Sequence, residues 1–339
     1  MRQVVFVRHG VPADVLLINH HPAPEPGPGE VRVRMRASPV NPADLLLVQG
    51  RYGRPAAFSP GLHPDGNTPA APVGFEGAGV IEAVGPGVRH APGTRVAVSA
   101  LGTWAEYVVT GAADVVPVPE DLGDDAACQL MINPLTACLL LDGLGLDAGE
   151  PIVLTAAASA VGRMLVQLAS SRGLRCRCLV RDPRHRPGLL ATGAEEVLVV
   201  REECDGSDGA DGQPAELDGW RGAAAVLDAV GGRTGTLALR SLRDGGRFVG
   251  YGLLSGRPLT VAPEELLFRG LTLTGFWLPE RLGELSPDAT GRLLHDITEH
   301  VRHGRLTLPP LERFDLADAT NAVRHATRPG RTSKAVLTS

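Results

Sequence analysis

The chain has 339 residues, 43% hydrophobic and 21% charged, with a formal net charge of −5. A length beyond roughly 250–300 residues predicts two cores rather than one, and the acidic balance argues against a partner that is nucleic acid or an anionic membrane. Glycine (42) and proline (28) recur without a period, which excludes a collagen-like chain and predicts many turns.

Lysine occurs once, at Lys334; the other long basic residues are arginines, which reads as coding bias. The opening MRQVVFVRHG is interrupted by charge, and no apolar run reaches the ~18–20 residues of a membrane span. Five cysteines (Cys128, Cys138, Cys176, Cys178, Cys204) without framework spacing fit a reducing, cytoplasmic location. Cys176 and Cys178, at i and i+2 of an apolar segment, are expected to pack on one strand face as small hydrophobes.

Residues 1–125 read as β-rich. Alternating runs such as Val31–Met35 and Gly79–Gly85 are bounded by turn signals at Gly85-Pro86-Gly87 and Ala91-Pro92-Gly93. From about 126 the pattern changes. Asp124–Cys138 lacks alternation, and Pro134 is expected to restrict a helix there. An apolar strand, Pro151–Thr155, precedes a small-residue turn and a helical repeat of Met164, Leu165, Leu168 and Ala169. Further strands are expected at 176–180, after Gly193, at 223–230, at 247–251 and at 271–277. Strands alternating with helices predict a parallel sheet. The stretch 201–222 is acidic and glycine-rich and reads as surface. The tail predicts an amphipathic helix at Asp288–His303, an extended piece at Leu308–Phe314 and a closing strand at Lys334–Leu337. The expected architecture is α/β: a partly open barrel domain (1–125 plus 279–339) interrupted by a doubly wound Rossmann domain (126–278).

The turn after the first Rossmann strand is Ala157-Ala158-Ser159-Ala160-Val161-Gly162, where a G-x-G-x-x-G fingerprint belongs. Only Gly162 keeps its glycine. Small residues still allow the backbone near a pyrophosphate, and a helix start offers free N–H groups; Ser159 is a further donor. A ligand-free tight turn is the competing explanation. The second strand ends Val180-Arg181-Asp182-Pro183-Arg184. Arginine there favours the 2′-phosphate of NADPH, with Arg181 first and Arg184 behind it. Asp182 would repel that phosphate unless it caps the following turn, which its place before Pro183 suits.

A barrel interrupted by a Rossmann domain is the architecture of the medium-chain dehydrogenases/reductases. Zinc members need thiolate and imidazole ligands. The corresponding stretches here, Ser38–Asp44 and Gly74-Phe75-Glu76, carry neither Cys nor His, so no metal is expected. His300 and His303, at i and i+3, read as solvated surface.

Seven stretches then point more narrowly: Asn41-Pro42-Ala43-Asp44, Val48–Gly53, Gly102-Thr103-Trp104, Asn133–Ala137, Val180-Arg181-Asp182, Gly275-Phe276-Trp277-Leu278 and Thr332-Ser333-Lys334. With these the sequence resembles the zinc-free branch and, within it, the mitochondrial-type 2-enoyl thioester reductases. The resemblance implies NADPH-dependent reduction of a trans-2-enoyl chain on CoA or an acyl carrier protein. It implies Tyr52 as proton donor, which suits a phenol protonated at neutral pH. It also implies Asn133 and Thr136 beside the nicotinamide, and Asn41, Trp104, Phe276 and Trp277 lining the substrate cleft. Phe276, Trp277 and Tyr251 are placed with the cofactor. The members are commonly dimers joined at Rossmann sheet edges, and Leu271–Thr274 could pair so. The sequence departs from the family at Ala158, at the long Pro-rich loop Arg54–Pro72, readable as a lid, and in its scarcity of lysine for CoA phosphates. Two other readings stand beside this one: a zinc-free NADPH:quinone or enone reductase, and a nucleotide-binding protein without catalysis.

Overall fold

The computed structural model describes residues 1–200 and 219–339. The acidic stretch expected at 201–222 falls outside the described residues up to 218, as does Cys204. The chain divides into two compact units, Met1–Ile132 with Leu294–Ser339, and Asn133–Leu293.

In chain order the first unit holds strands β1 (Arg2–Phe6), β2 (Leu16–His20), β3 (Glu30–Pro39), β4 (Ala71–Pro72), β5 (Glu76–Val84), β6 (Arg95–Ser99), β7 (Tyr107–Gly111) and β8 (Val115–Pro117). Its helices here are α1 (Pro12–Val15), α2 (Pro42–Val48) and α3 (Asp124–Ala127). The second unit contains α4 (Asn133–Leu144), β9 (Pro151–Leu154), α5 (Ala160–Ser171), β10 (Arg175–Val180), α6 (Arg186–Ala191), β11 (Glu196–Val199), β12 (Ala223–Asp228), α7 (Gly232–Arg240) and β13 (Leu242–Gly250). It continues with α8 (Pro263–Leu267), β14 (Thr272–Gly275) and α9 (Leu278–Gly283). The boundary falls inside α10 (Pro287–Arg302), and the chain closes with β15 (Leu311–Asp315), α11 (Ala319–Thr327) and β16 (Lys334–Thr338) in the first unit.

The first unit is built on β3. Its ten residues alternate in burial and pair antiparallel with β5, β7 and β16. The order β15-β16-β3-β5-β6-β8 brings the C-terminal strands onto the N-terminal sheet, as expected for an interrupted domain. Inside it Val31, Val33, Met35, Ile81, Val96 and Val98 pack together. A separate three-stranded sheet, β2-β1-β4, covers a second cluster around Phe6, Val48, Trp104 and Leu337. That sheet and helix α11 were not expected from the pattern.

In the second unit the strands among the described residues run parallel in the order β11-β10-β9-β12-β13-β14. The central strands read as unbroken apolar runs because helices cover both faces; β12 is buried at every position. A fully buried Leu, Ile or Val there contributes roughly 1.5–3 kcal/mol. Pro134 does not restrict a helix: α4 begins at Asn133, and a proline in the first turn lacks only an N–H that has no intrahelical partner. Strand order reverses between β9 and β12, and open sheets of this kind hold ligands outside the carboxyl ends of the strands at that point.

Candidate functional site

The carboxyl end of β9 turns sharply into α5. Ala156 has φ of 47°, the one positive value at a non-glycine among the described residues, which costs about 1 kcal/mol for a residue bearing Cβ. The Ser159 hydroxyl oxygen accepts from the Gly162 N–H at 3.1 Å and caps α5; its own proton stays available to donate. Ala160 and Val161 lie in the first turn, where N–H groups have no carbonyl four residues back. At Gly162 a Cβ would come within 2.5 Å of the Ala156 carbonyl oxygen, so the surviving fingerprint glycine is required by the close approach of helix to strand. These donors fit a pyrophosphate. Ala158 contributes its carbonyl instead, accepting from Arg163 Nε at 3.0 Å.

At the end of β10, Arg181 is exposed and forms no ion pair among the described residues. Asp182 caps the next turn by accepting from the Arg184 N–H at 2.9 Å and binds the Arg184 guanidinium through both oxygens. Arg184 holds that carboxyl down at about 2. Asp182 and Arg184 therefore cancel each other, and Arg181 is an uncommitted cation.

Tyr251 and Phe276 follow the ends of β13 and β14, the latter donating its N–H to Gly250 at 2.8 Å. Phe276 and Trp277 are half-buried. The Tyr251 hydroxyl is enclosed without a hydrogen-bond partner, and burial pushes it up, with Asp228 adding to the effect. Asn133 and Thr136 are buried at the start of α4. Sequence reasoning missed a bond across the switch point: Thr155 Oγ1 donates to Asp228 Oδ1 at 2.6 Å and accepts from the Ala229 N–H at 2.9 Å. The signal was a polar residue closing each of two apolar strands.

In the first unit, Tyr52 follows α2 in a turn anchored by its N–H to the Leu46 carbonyl at 3.2 Å. Its ring lies 4.9 Å from that of Phe75, and it packs on the same cluster as Trp104. Two expectations are corrected. Trp104 is wholly buried and its indole N–H donates to the Pro39 carbonyl, so it is a core residue and not a cleft wall. Asn41 is 1% exposed and engaged within the fold: its N–H donates to Asp44 Oδ2 at 2.7 Å and its Nδ2 to Glu76 Oε1 at 2.9 Å. The Asn-Pro-x-Asp stretch is thus a helix start rather than a substrate contact. The Pro-rich loop after Tyr52 packs back on the first unit, with Phe58 edge-on to Phe6 at 5.3 Å and a tip turn organised by Asp65.

Among the described residues no three His, Cys, Asp or Glu side chains gather so as to hold a metal ion. Cys176 and Cys178 point to one face with sulfurs 3.9 Å apart.

Residues 27–120 match the alcohol dehydrogenase GroES-like domain, and residues 160–291 match the zinc-binding dehydrogenase family. The mitochondrial enoyl-acyl-carrier-protein reductase of Bos taurus is 33% identical over 349 residues, which span all of this chain and 88% of the bovine one. A putative NADPH:quinone reductase from Bacillus thuringiensis superposes with a TM-score of 0.86 at 30% identity, covering 100% and 98% of the two chains. The Etr1p complex with NADP and crotonyl-CoA superposes at 0.85 with 24% identity, covering 100% and 99%. A glycine-poor nucleotide turn, a reversing parallel sheet and an interrupted GroES-like unit therefore have one common origin: the chain belongs to the medium-chain dehydrogenase/reductase superfamily, close to its mitochondrial enoyl-acyl-carrier-protein reductases.

Proposed function

We propose that the chain reduces the 2,3 double bond of a trans-2-enoyl thioester, carried on CoA or an acyl carrier protein, with NADPH. The observation that carries this reading is the end-to-end likeness, at 33% identity, to the bovine enoyl-acyl-carrier-protein reductase, in a chain that places Tyr52 in its post-helix turn. NADPH supplies the hydride that adds to Cβ. The chain supplies the rest: the α5 start and Ser159 bind the pyrophosphate, and Arg181 binds the 2′-phosphate. Tyr52 holds a proton for Cα and releases it as the thioester enolate collapses. Phe276 and Trp277, half-buried at the end of β14, line the nicotinamide and acyl sites. Asn133 and Thr136 orient the nicotinamide from α4.

A quinone or enone reductase is the second reading, favoured by the 30% identical quinone reductase neighbour. The test follows NADPH absorbance over enoyl-CoAs, carrier-bound enoyl chains and quinones, with wild type and Tyr52→Phe. Enoyl turnover that falls about 10²-fold in the variant supports the thioester reading. Quinone turnover that ignores the substitution, with no enoyl turnover, replaces it. A cytoplasmic location and a homodimer through β14 belong to the same proposal, the first supported by the four described cysteines, all free thiols.

A further inference from the structure

Arg181, Arg184 and His185 follow the end of β10, Arg163 reaches His185 from α5, and the four are not equivalent. Arg181 is uncommitted and Arg184 is spent on Asp182. Arg163, from the second turn of α5, reaches across. Its Nε holds the Ala158 carbonyl of the fingerprint turn at 3.0 Å, and its Nη2 lies 3.2 Å from Nδ1 of His185. A Cβ on Gly188 would sit 3.9 Å from its Nη1, so the guanidinium also borders α6. One side chain thus ties the pyrophosphate turn to the turn that follows β10.

The pairing has a chemical consequence. A guanidinium has no lone pair to offer, so it must be the donor, and Nδ1 of His185 must be the acceptor. His185 is then neutral, with its proton on Nε2. Partial burial and, after it, Arg163 hold the imidazole below its usual range. The charged groups facing it are Arg163 from α5 and Asp182 and Arg184 of its own turn. Asp182 is already engaged by Arg184, so no free carboxylate favours the imidazolium.

We propose that Arg163 and His185 form a proton-linked pair that selects the dinucleotide bearing a ribose phosphate. A doubly charged phosphate at the end of β10 draws one proton from solvent onto Nδ1 of His185. That proton ends the acceptance from Arg163, and both side chains then donate toward the phosphate. The inference rests on the NADPH reading above. It differs from a structural clamp, which would hold the Ala158 carbonyl whichever dinucleotide is bound.

The experiment is calorimetry of NADPH and NADH binding to the whole protein at about pH 7.5, above the range where the phosphate itself titrates, in two buffers of different ionisation enthalpy. NADPH should take up a fraction of a proton and NADH none. Arg163→Gln should weaken NADPH about tenfold, the loss of one charge-assisted bond, and leave NADH within about twofold. Arg163→Lys should restore part of the loss, and His185→Gln should abolish the proton uptake. NADPH binding without proton uptake, or equal losses for both dinucleotides, overturns the pair and leaves the proposed function standing. A wild-type protein that binds no NADPH overturns both.

Discussion

Lys334 Nζ lies 3.6 Å from Glu76 Oε1, and both side chains are buried in the first unit. The same carboxylate accepts from Asn41 Nδ2 and from the N–H groups of Met131 and Ile132 at 3.1 and 3.0 Å. Burial pushes the Glu76 carboxyl up; Lys334, Asn41 and those amides oppose it. The lone lysine reads in the sequence as coding bias. Its placement gives a physical reason instead: a compact ammonium at the end of a buried strand, where a planar five-donor guanidinium needs more room and more acceptors. Lys334→Met leaves a buried carboxylate without its cation and should cost about 3–5 kcal/mol. Adding Glu76→Gln should recover part of that. Denaturant titrations of the single and double variants check it, and a double variant no better than the single sinks the pairing.

Asp44 belongs to the same cluster and behaves differently. Burial, opposed by the Asn41 N–H and reinforced by Glu76, pushes its carboxyl up to about 7. Between about pH 4 and 7 the folded chain then holds a proton that the unfolded chain has lost. Folding stability contributed by this group is therefore highest at acid pH and falls as pH rises to about 7. Asp44→Asn keeps an oxygen for the Asn41 N–H and removes the titration. The variant should gain on wild type by about 1–3 kcal/mol between pH 5 and pH 8. The difference matters because lowered carboxyls elsewhere, such as Asp124, slope the other way. A gap independent of pH shows that Asp44 is already ionised.

The second unit was legible because its signals are repetitive: apolar runs at β9, β10 and β12, spaced by helices, leave little freedom in topology. Asp182 was readable as a turn cap because a proline follows it, and it is one. Single polar and aromatic residues were not legible in this way. Asn41 before a proline looks the same whether it caps a helix or meets a ligand, and only the fold brings Glu76 to its amide. Trp104 after a glycine turn looked like a cleft wall, but Gly74 leaves the space that its indole fills: a Cβ there would come within 2.4 Å of the ring. Thr155 and Asp228 are 73 residues apart, and their bond exists only because β9 and β12 are neighbours.

Gly162 tests the fingerprint turn. A methyl there meets backbone, Ala156 O at 2.5 Å and Ala157 Cα at 2.7 Å, which cannot rotate away. Gly162→Ala should cost about 1–3 kcal/mol by overpacking. It should also weaken NADPH binding, because α5 must move off the strand end that positions its first turn. Thermal unfolding with and without NADPH checks both. Full stability with intact binding would mean that the turn relaxes without cost.

β14 is the edge of the six-stranded sheet among the described residues, paired on one side only with β13. An unpaired edge is a template for another strand unless something blocks it. Here nothing charged does: the strand is Thr272-Leu273-Thr274-Gly275. Just before it in the chain, Leu267 is 74% and Phe268 84% exposed, and each would gain roughly 1.5–3 kcal/mol on burial. Two copies meeting edge to edge would extend the sheet and could cover those side chains together. Light scattering should give twice the chain mass, and Leu267→Glu with Phe268→Glu should raise the dimer dissociation constant by at least about 10²-fold. Because Phe276 and Trp277 directly follow β14, dissociation should disturb the acyl site proposed there, so KM for the enoyl substrate should rise as the protein is diluted through that constant. A wild-type monomer at all concentrations removes the dimer, and an unchanged KM across the transition separates assembly from the site.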